Sequence, residues 1–342
     1  MTISQARPLL SPILSPEEIA VRAGQQVEFL RLPQAFELFS SREARLRQVA
    51  HDHPMRDFLL FAADIAHAQH AALKTFPTVP LPDALAIKAA AEAGKPALPA
   101  ALWPRDPQWI ASMRVMLEGM LPSLKTQEGA TQVINNVLRM SDQDIGLQAD
   151  RLLNNIMFGL DMAAAPLIAA GLQVYWTHLV STVQKAHGDD RLAPFGRTDD
   201  ATRCPCCGSL PTASISRIDA DGSYRYLHCS LCSSQWHMVR IKCTHCESTK
   251  GIQYQSLQAA DADAPAGVPK EAVEAETCDE CGHYLKIVRM ERNPNIELVA
   301  DDLASLTLDL LVSESGFQRH GVNLMLLFGD PDDPEVDKGG GH

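Results

Sequence analysis

The stretch "CPCCG", Cys204 to Gly208, puts three cysteines into five residues of a chain that has nine. Its reading decides the fold of the second half. Eight of the nine cysteines form four C-x-x-C pairs: Cys204/Cys207, Cys229/Cys232, Cys243/Cys246 and Cys278/Cys281. The pairs are separated by 21, 10 and 31 residues. Each can form a tight knuckle that presents two sulfurs from one turn, and two knuckles complete a tetrahedral four-sulfur site suited to zinc or a single iron. Consecutive pairing is the simplest arrangement. Cys204, Cys207, Cys229 and Cys232 close around one ion, and Cys243, Cys246, Cys278 and Cys281 around a second. Gly208 and Gly282 each follow the second cysteine of a pair, where the chain often needs positive φ.

Other uses of the thiols fit less well. A dithiol redox pair sits at the N-terminus of a helix, but "GSLP", "SSQW", "ESTK" and "GHYL" start no helix. Closely packed iron–sulfur cluster runs are absent. Full sets of four thiolates leave no open coordination position, which points to structural rather than catalytic ions. Cys206 is left over, either as a solvent-facing reactive thiol or as a bystander in its knuckle. His228, His237, His245 and His283 lie beside complete quartets and read as neighbours, not ligands.

A chain of 342 residues, 46% hydrophobic, has room for two or three domains. Its formal charge of -12 opposes nucleic-acid binding. Arg217, Arg225, Arg240, Lys242 and Lys250, on the expected ribbon strands, read as solvated cations. The opening "MTISQARPLLSPILSPEE" lacks the unbroken apolar stretch of a signal peptide, and the longest apolar run, Met162 to Leu172, is too short to span a bilayer. A cytoplasmic protein without membrane insertion is expected. In that reducing setting clustered cysteines favour metal binding over disulfides.

The first 190 residues read as helix. "SPEE" (Ser15–Glu18) has capping-box spacing. Apolar stripes run through Phe58, Phe61, Ala62 and Ile65, through Trp109, Met113 and Leu117, and, after a cap at Ser141, through Leu152, Leu153, Ile156 and Leu160. A last helix is expected to end near His187. The whole predicts roughly six or seven helices. "GDDRLAPFGRTDDATR" (Gly188–Arg203) reads as a linker. Short β-rich runs follow: "TASISRI", "SYRYLH", "QWHMVRI", "GIQYQSL" and "HYLKIVRM", with "DADG" (Asp219–Gly222) as a hairpin turn. Gln258 to Ala272 has loop composition, and the tail "GDPDDPEVDKGGGH" reads as mobile. Leu303, Leu306, Leu310 and Leu311 predict a C-terminal helix capped by Asp301 or Asp302 and ended by Gly316. The acidic group Glu297, Asp301, Asp302 and Asp309 reads mainly as capping and solubility, with partner recognition as the alternative. Asp64, His67 and His70, like "HDH" at His51–His53, read as surface residues. No phosphate loop or nucleophile elbow is present.

"CPCCGSLP", "YLHCSLCSSQWHMVRIKCTHCES", "CDECGHYLKI" and "VADDLASLTLDLL" together resemble the FdhE family, accessory proteins for formate dehydrogenase. The resemblance spans the cysteine half and the C-terminal helix. It implies an N-terminal all-α domain (1–190), followed by two small rubredoxin-like or zinc-ribbon-like β domains (191–242 and 243–342), the second carrying the C-terminal helix. It further implies a cytoplasmic maturation factor or chaperone that binds the catalytic subunit of respiratory formate dehydrogenase without acting on formate, with iron in the C-x-x-C sites. Spacing alone would name zinc first. Two other functions compete: thiol or sulfur transfer to the enzyme through Cys206, and a zinc-ribbon nucleic-acid binder.

Overall fold

The structure, a computed structural model, describes residues 27–188, 193–219, 222–257 and 272–327. Ser15–Glu18, most of the Gln258–Ala272 stretch, the centre of the Asp219–Gly222 turn and the tail beyond 327 lie outside the described residues.

Seven α-helices fill the N-terminal half among the described residues: α1 (Leu38–Val49), α2 (Arg56–Lys74), α3 (Ala84–Glu92), α4 (Gln108–Met120), α5 (Glu128–Arg139), α6 (Asp142–Leu153) and α7 (Ala165–His187). The last is buried on nearly all sides, as expected of a helix apolar all round. Gly171 lets it approach α4, because a Cβ there would lie 2.7 Å from Met113 Cγ. Ser141 caps α6 as predicted, accepting from the Asp144 N–H. The expected stripe through Ile156 and Leu160 breaks, however. Asn155 turns left-handed (φ 56°), and Asn155 and Ile156 close their N–H groups on Leu152 and Arg151 at 3.2 and 2.8 Å. That pattern ends a helix, and it leaves Ile156 exposed.

Among the described residues the second half is built on one eight-stranded sheet, which β1 joins from the N-terminal half: β1 (Leu30–Arg31), β2 (Pro211–Asp219), β3 (Gly222–Cys229), β4 (Gln235–His237), β5 (Ile252–Gln255), β6 (Val273–Cys278), β7 (His283–Arg289) and β8 (Gln318–Arg319). The spatial order is β1-β4-β3-β2-β7-β6-β5, with β8 also beside β7. The two ribbons repeat one plan: knuckle, strand, strand, knuckle, strand. β2, β3 and β4 form the first, β5, β6 and β7 the second, each antiparallel within itself. They join where β2 runs parallel to β7, Ile215 opposite Val288. "QWHMVRI" gives only the three residues of β4. β6, "VEAETC", has too many carboxylates to read as a buried strand, yet Glu274 and Glu276 are buried because arginines meet them: Arg289 and Arg292 hold Glu274, and Arg225 holds Glu276 at 2.6 Å.

The C-terminal helix is two, α8 (Leu298–Ala304) and α9 (Leu306–Glu314). Gly316, at φ 90°, ends the second as predicted. The cap differs from prediction: Glu297 accepts from the Ala300 N–H. Asp301, Asp302 and Asp309 are buried instead. Arg45 grips Asp301 through two bonds of 2.5 and 2.9 Å. Lys286 reaches Asp302 at 3.0 Å and Asp309 at 2.5 Å, and Arg319 reaches the same two at 2.7 and 2.9 Å. This acidic group fastens the helical half to the second ribbon, and solubility is not its role. The Leu310 and Leu311 side chains are exposed.

Candidate metal centres

The eight paired thiols gather into two quartets, the consecutive ones expected from spacing. Within each, the four sulfurs all lie within 4.8 Å of one another. In the first, Cys204 and Cys232 are 3.6 Å apart, Cys207 and Cys229 3.4 Å, Cys207 and Cys232 3.7 Å. In the second, Cys243 and Cys281 are 3.7 Å apart, Cys246 and Cys278 3.8 Å. A metal–sulfur bond of about 2.3 Å gives a tetrahedral S···S edge of about 3.8 Å, whereas a disulfide needs about 2.05 Å. All nine cysteines are free. The donor set fits a tetrahedral thiophilic ion.

The four knuckles share one backbone device. The residue after the second cysteine is left-handed in each: Gly208 (φ 76°), Ser233 (φ 59°), Glu247 (φ 58°) and Gly282 (φ 70°). The turn returns the chain so that Cys204, Cys229 and Cys243 donate to the carbonyls of Ser209, Ser234 and Ser248 at 3.0, 2.9 and 2.8 Å. Cys278 is paired with His283 in the same way across the β6–β7 ladder. Backbone N–H groups then point at sulfur, Leu231 and Cys232 at Cys229, His245 and Cys246 at Cys243. Donors of that kind favour the thiolate. Only the two glycines announce this turn in the sequence.

The surroundings differ sharply. In the first quartet every sulfur-bearing residue is buried and belongs to the main core, together with Leu227, Leu231 and Trp236. The helical half lies directly on it. Leu98 and Ala100 donate to the Cys206 and Cys207 carbonyls at 3.0 and 2.8 Å. Gln173 of α7 donates to the Ser230 carbonyl at 2.8 Å. In the second quartet Cys246 is exposed and Cys281 half-buried.

Burial pushes the Cys204 and Cys229 thiols well up. Burial opposes the Cys232 thiolate too, but hydrogen bonds from Cys204, Cys206, Cys207 and Cys229 outweigh it and hold that group well below its ordinary value. Thiols that burial keeps protonated must give up their protons when an ion is loaded. In the second quartet Cys281 is raised, chiefly by burial, while burial of the exposed Cys246 is outweighed by the Ser248 N–H and then by hydrogen bonds from Cys281, Cys243 and Cys278, which lower it.

Cys206 is fully buried, and burial raises its thiol well above the ordinary value. It is therefore not the solvent-facing thiol that one alternative required. His228 is buried, and burial, then the Arg42 charge, pushes it down to about 3. His245 and His283 stack at 3.7 Å and 9°, with His320 edge-on at 5.0 Å. Their ring nitrogens lie near Cys281, yet no ion can sit in two parallel ring planes at once. The stack covers the second quartet rather than completing it. His237 packs edge-on against Tyr226.

The ribbon cations are not a free basic face. Arg225 is buried against Glu276, Arg217 bonds Gln235, and Lys242 pairs with Glu247. Asp64 and His67 are bonded to Arg47 and Glu43, on the rim of an apolar cavity of about 740 Å³ between α2 and α4, and His53 reaches the Ala304 carbonyl at 2.9 Å. None of them gathers with a thiol. No helix among the described residues is long and apolar enough to cross a membrane.

Comparison with known proteins gives a consistent result along the chain. Family models described as FdhE N-terminal, FdhE central domain and FdhE C-terminal domain match residues 27–190, 203–240 and 241–326. An FdhE homolog from Cronobacter sakazakii is 38% identical over 311 residues, covering 90% of this chain and 94% of that protein. One from Serratia proteamaculans is 39% identical over 295 residues, covering 85% and 89%. The crystal structure of the FdhE protein from Pseudomonas aeruginosa superposes with a TM-score of 0.75 at 32% identity, covering 89% of this chain and all of that one.

Proposed function

Because this chain belongs to the FdhE family, we propose that it is a cytoplasmic accessory factor for respiratory formate dehydrogenase. It binds that enzyme's catalytic subunit and holds one ion in each quartet, through Cys204, Cys207, Cys229 and Cys232 and through Cys243, Cys246, Cys278 and Cys281. The ion is iron, with zinc as the alternative. The observation that carries this reading is the pair of thiol quartets, each with tetrahedral edge lengths. Iron among four thiolates changes charge without changing ligands, so partner affinity can follow its redox state, whereas zinc supplies rigidity alone.

The chain's own residues support a binding rather than a catalytic role. Four cysteines fill a tetrahedron and leave no position for substrate. The knuckle N–H groups hold the sulfurs in place, and the shared sheet makes the two ribbons one surface. Copurification tests the partner: the tagged chain should retain the formate dehydrogenase catalytic subunit, and its deletion should abolish active enzyme. Metal analysis with a visible spectrum tests the ion. Two irons per chain and strong visible absorption are expected, and a colourless protein with two zincs would refute the iron assignment. Normal enzyme activity in the deletion strain would refute the function.

A further inference from the structure

A cavity of about 370 Å³ lies on the seam between the start of α1 and the first ribbon. Arg217, His228 and Gln235 line it from the ribbon, Arg31 from β1, and Glu297 from the head of α8. The Arg217 guanidinium is partly buried, and among the described residues it has no carboxylate partner. Its Nε donates to Gln235 Oε1 at 2.9 Å, and one Nη lies 3.7 Å from the Met290 sulfur. Burial, and then the neighbouring Arg31, lower its affinity for its own proton, with Tyr226 and Glu28 offsetting them only in part, which marks a positive charge short of full compensation.

The hydrogen bonds around it fix the donors. A guanidinium only donates, so Gln235 turns its oxygen to Arg217 and its amide nitrogen to His228 Nδ1, 3.3 Å away. Nδ1 therefore accepts, and the imidazole proton sits on Nε2. That nitrogen is buried and has no partner among the described residues. The neighbouring Arg42, which does not line the cavity, gives Nε to Glu297 at 3.0 Å and Nη2 to Ser233 at 3.5 Å, while its Nη1 is buried without a partner among the described residues. The nearby acids do not answer these donors. Glu28 pairs with Arg31, Glu297 is taken by Arg42 and the Ala300 N–H, and Glu37 is exposed. Buried donors of this kind are rarely left unmet. The first turn of α1, which also lines the cavity through Leu38 and Ser41, adds the positive end of a peptide dipole.

We infer that this cavity binds a small oxyanion, a carboxylate or a phosphate, held by the Arg217 fork and the His228 Nε2 donor. Because its walls come from both the helical half and the first ribbon, the anion clips the two together beside Cys229. The inference does not depend on the formate dehydrogenase reading.

Titration calorimetry on the full metal-bearing chain, with sodium acetate and with sodium phosphate against a sodium chloride control of equal ionic strength, tests it. Saturable binding of at least one oxyanion is expected, weakened about tenfold or more in Arg217→Gln. The anion that saturates identifies the chemistry. Arg217→Lys, which keeps the charge and loses the fork, should weaken binding by a smaller factor and serves if the glutamine variant does not fold. Glu37→Gln, on the exposed rim, should bind at least as tightly as the unaltered chain. No saturation beyond chloride, or equal affinity in the Arg217 variants, would overturn the proposal.

Discussion

The two thiol quartets share one construction and occupy opposite environments. Their knuckles have the same left-handed residue, the same return hydrogen bond and the same N–H donors to sulfur. The first is sealed in the main core, pinned by Leu98, Ala100 and Gln173 of the helical half. The second has Cys246 in solvent and its own small core of Ala275, Tyr284, Leu308 and Val312. A repeated motif therefore does not mean a repeated role. The first quartet is enclosed by the main core, and the second has a thiol open to solvent.

The largest expected effect separates them directly. Cys229→Ala should remove most of a metal contribution on the order of 10 kcal/mol and leave little folded protein. Cys246→Ala should lower metal content by one ion while the helical half still melts cooperatively. Thermal unfolding by circular dichroism with elemental analysis checks both, and equal damage from the two would break the comparison.

The ionic group that fastens the second ribbon comes next. Lys286→Met leaves Asp302 and Asp309 with Arg319 as their one remaining cation among the described residues, and should cost about 3–5 kcal/mol in urea unfolding. Burial alone would raise Asp302, but Arg319 and Lys286 outweigh it and hold it below its ordinary 3.8. A depressed carboxylate stabilises the fold above its unfolded pKa, and that contribution is lost as pH falls through the native value. Stability should therefore drop below about pH 4, and less steeply in Asp302→Asn. A third, smaller effect tests the knuckle geometry. Glu247 pays for a left-handed backbone that glycine adopts freely, so Glu247→Gly should stabilise the second ribbon by up to about 1 kcal/mol. Gly282→Ala should destabilise it by a similar amount.

Much of this was legible in the residues. The spacing of the four C-x-x-C pairs gave the quartets and their pairing, because a knuckle is a local structure fixed by its own turn. Trp109, Met113 and Leu117 are buried as their helical period requires, and Ser141 and Gly316 mark the helix ends they were expected to mark. What escaped notice was set by distant partners. Glu274 and Glu276 look like loop residues until Arg289, Arg292 and Arg225 come to meet them. Asp301, Asp302 and Asp309 look solvated until Arg45, Lys286 and Arg319 arrive from elsewhere in the chain. The unequal burial of the quartets was equally invisible, since Leu98 and Ala100, whose N–H groups meet the first knuckle, lie more than a hundred residues before Cys204.

The most direct test is a timed chelator challenge of the metal-bearing chain, with released metal followed in solution and freed cysteines mapped by alkylation and mass spectrometry. Two ions should leave in two well-separated phases, the fast one exposing Cys243, Cys246, Cys278 and Cys281, the slow one exposing Cys204, Cys207, Cys229 and Cys232 only as the chain unfolds. A single phase, or early labelling of the first quartet, would contradict the account.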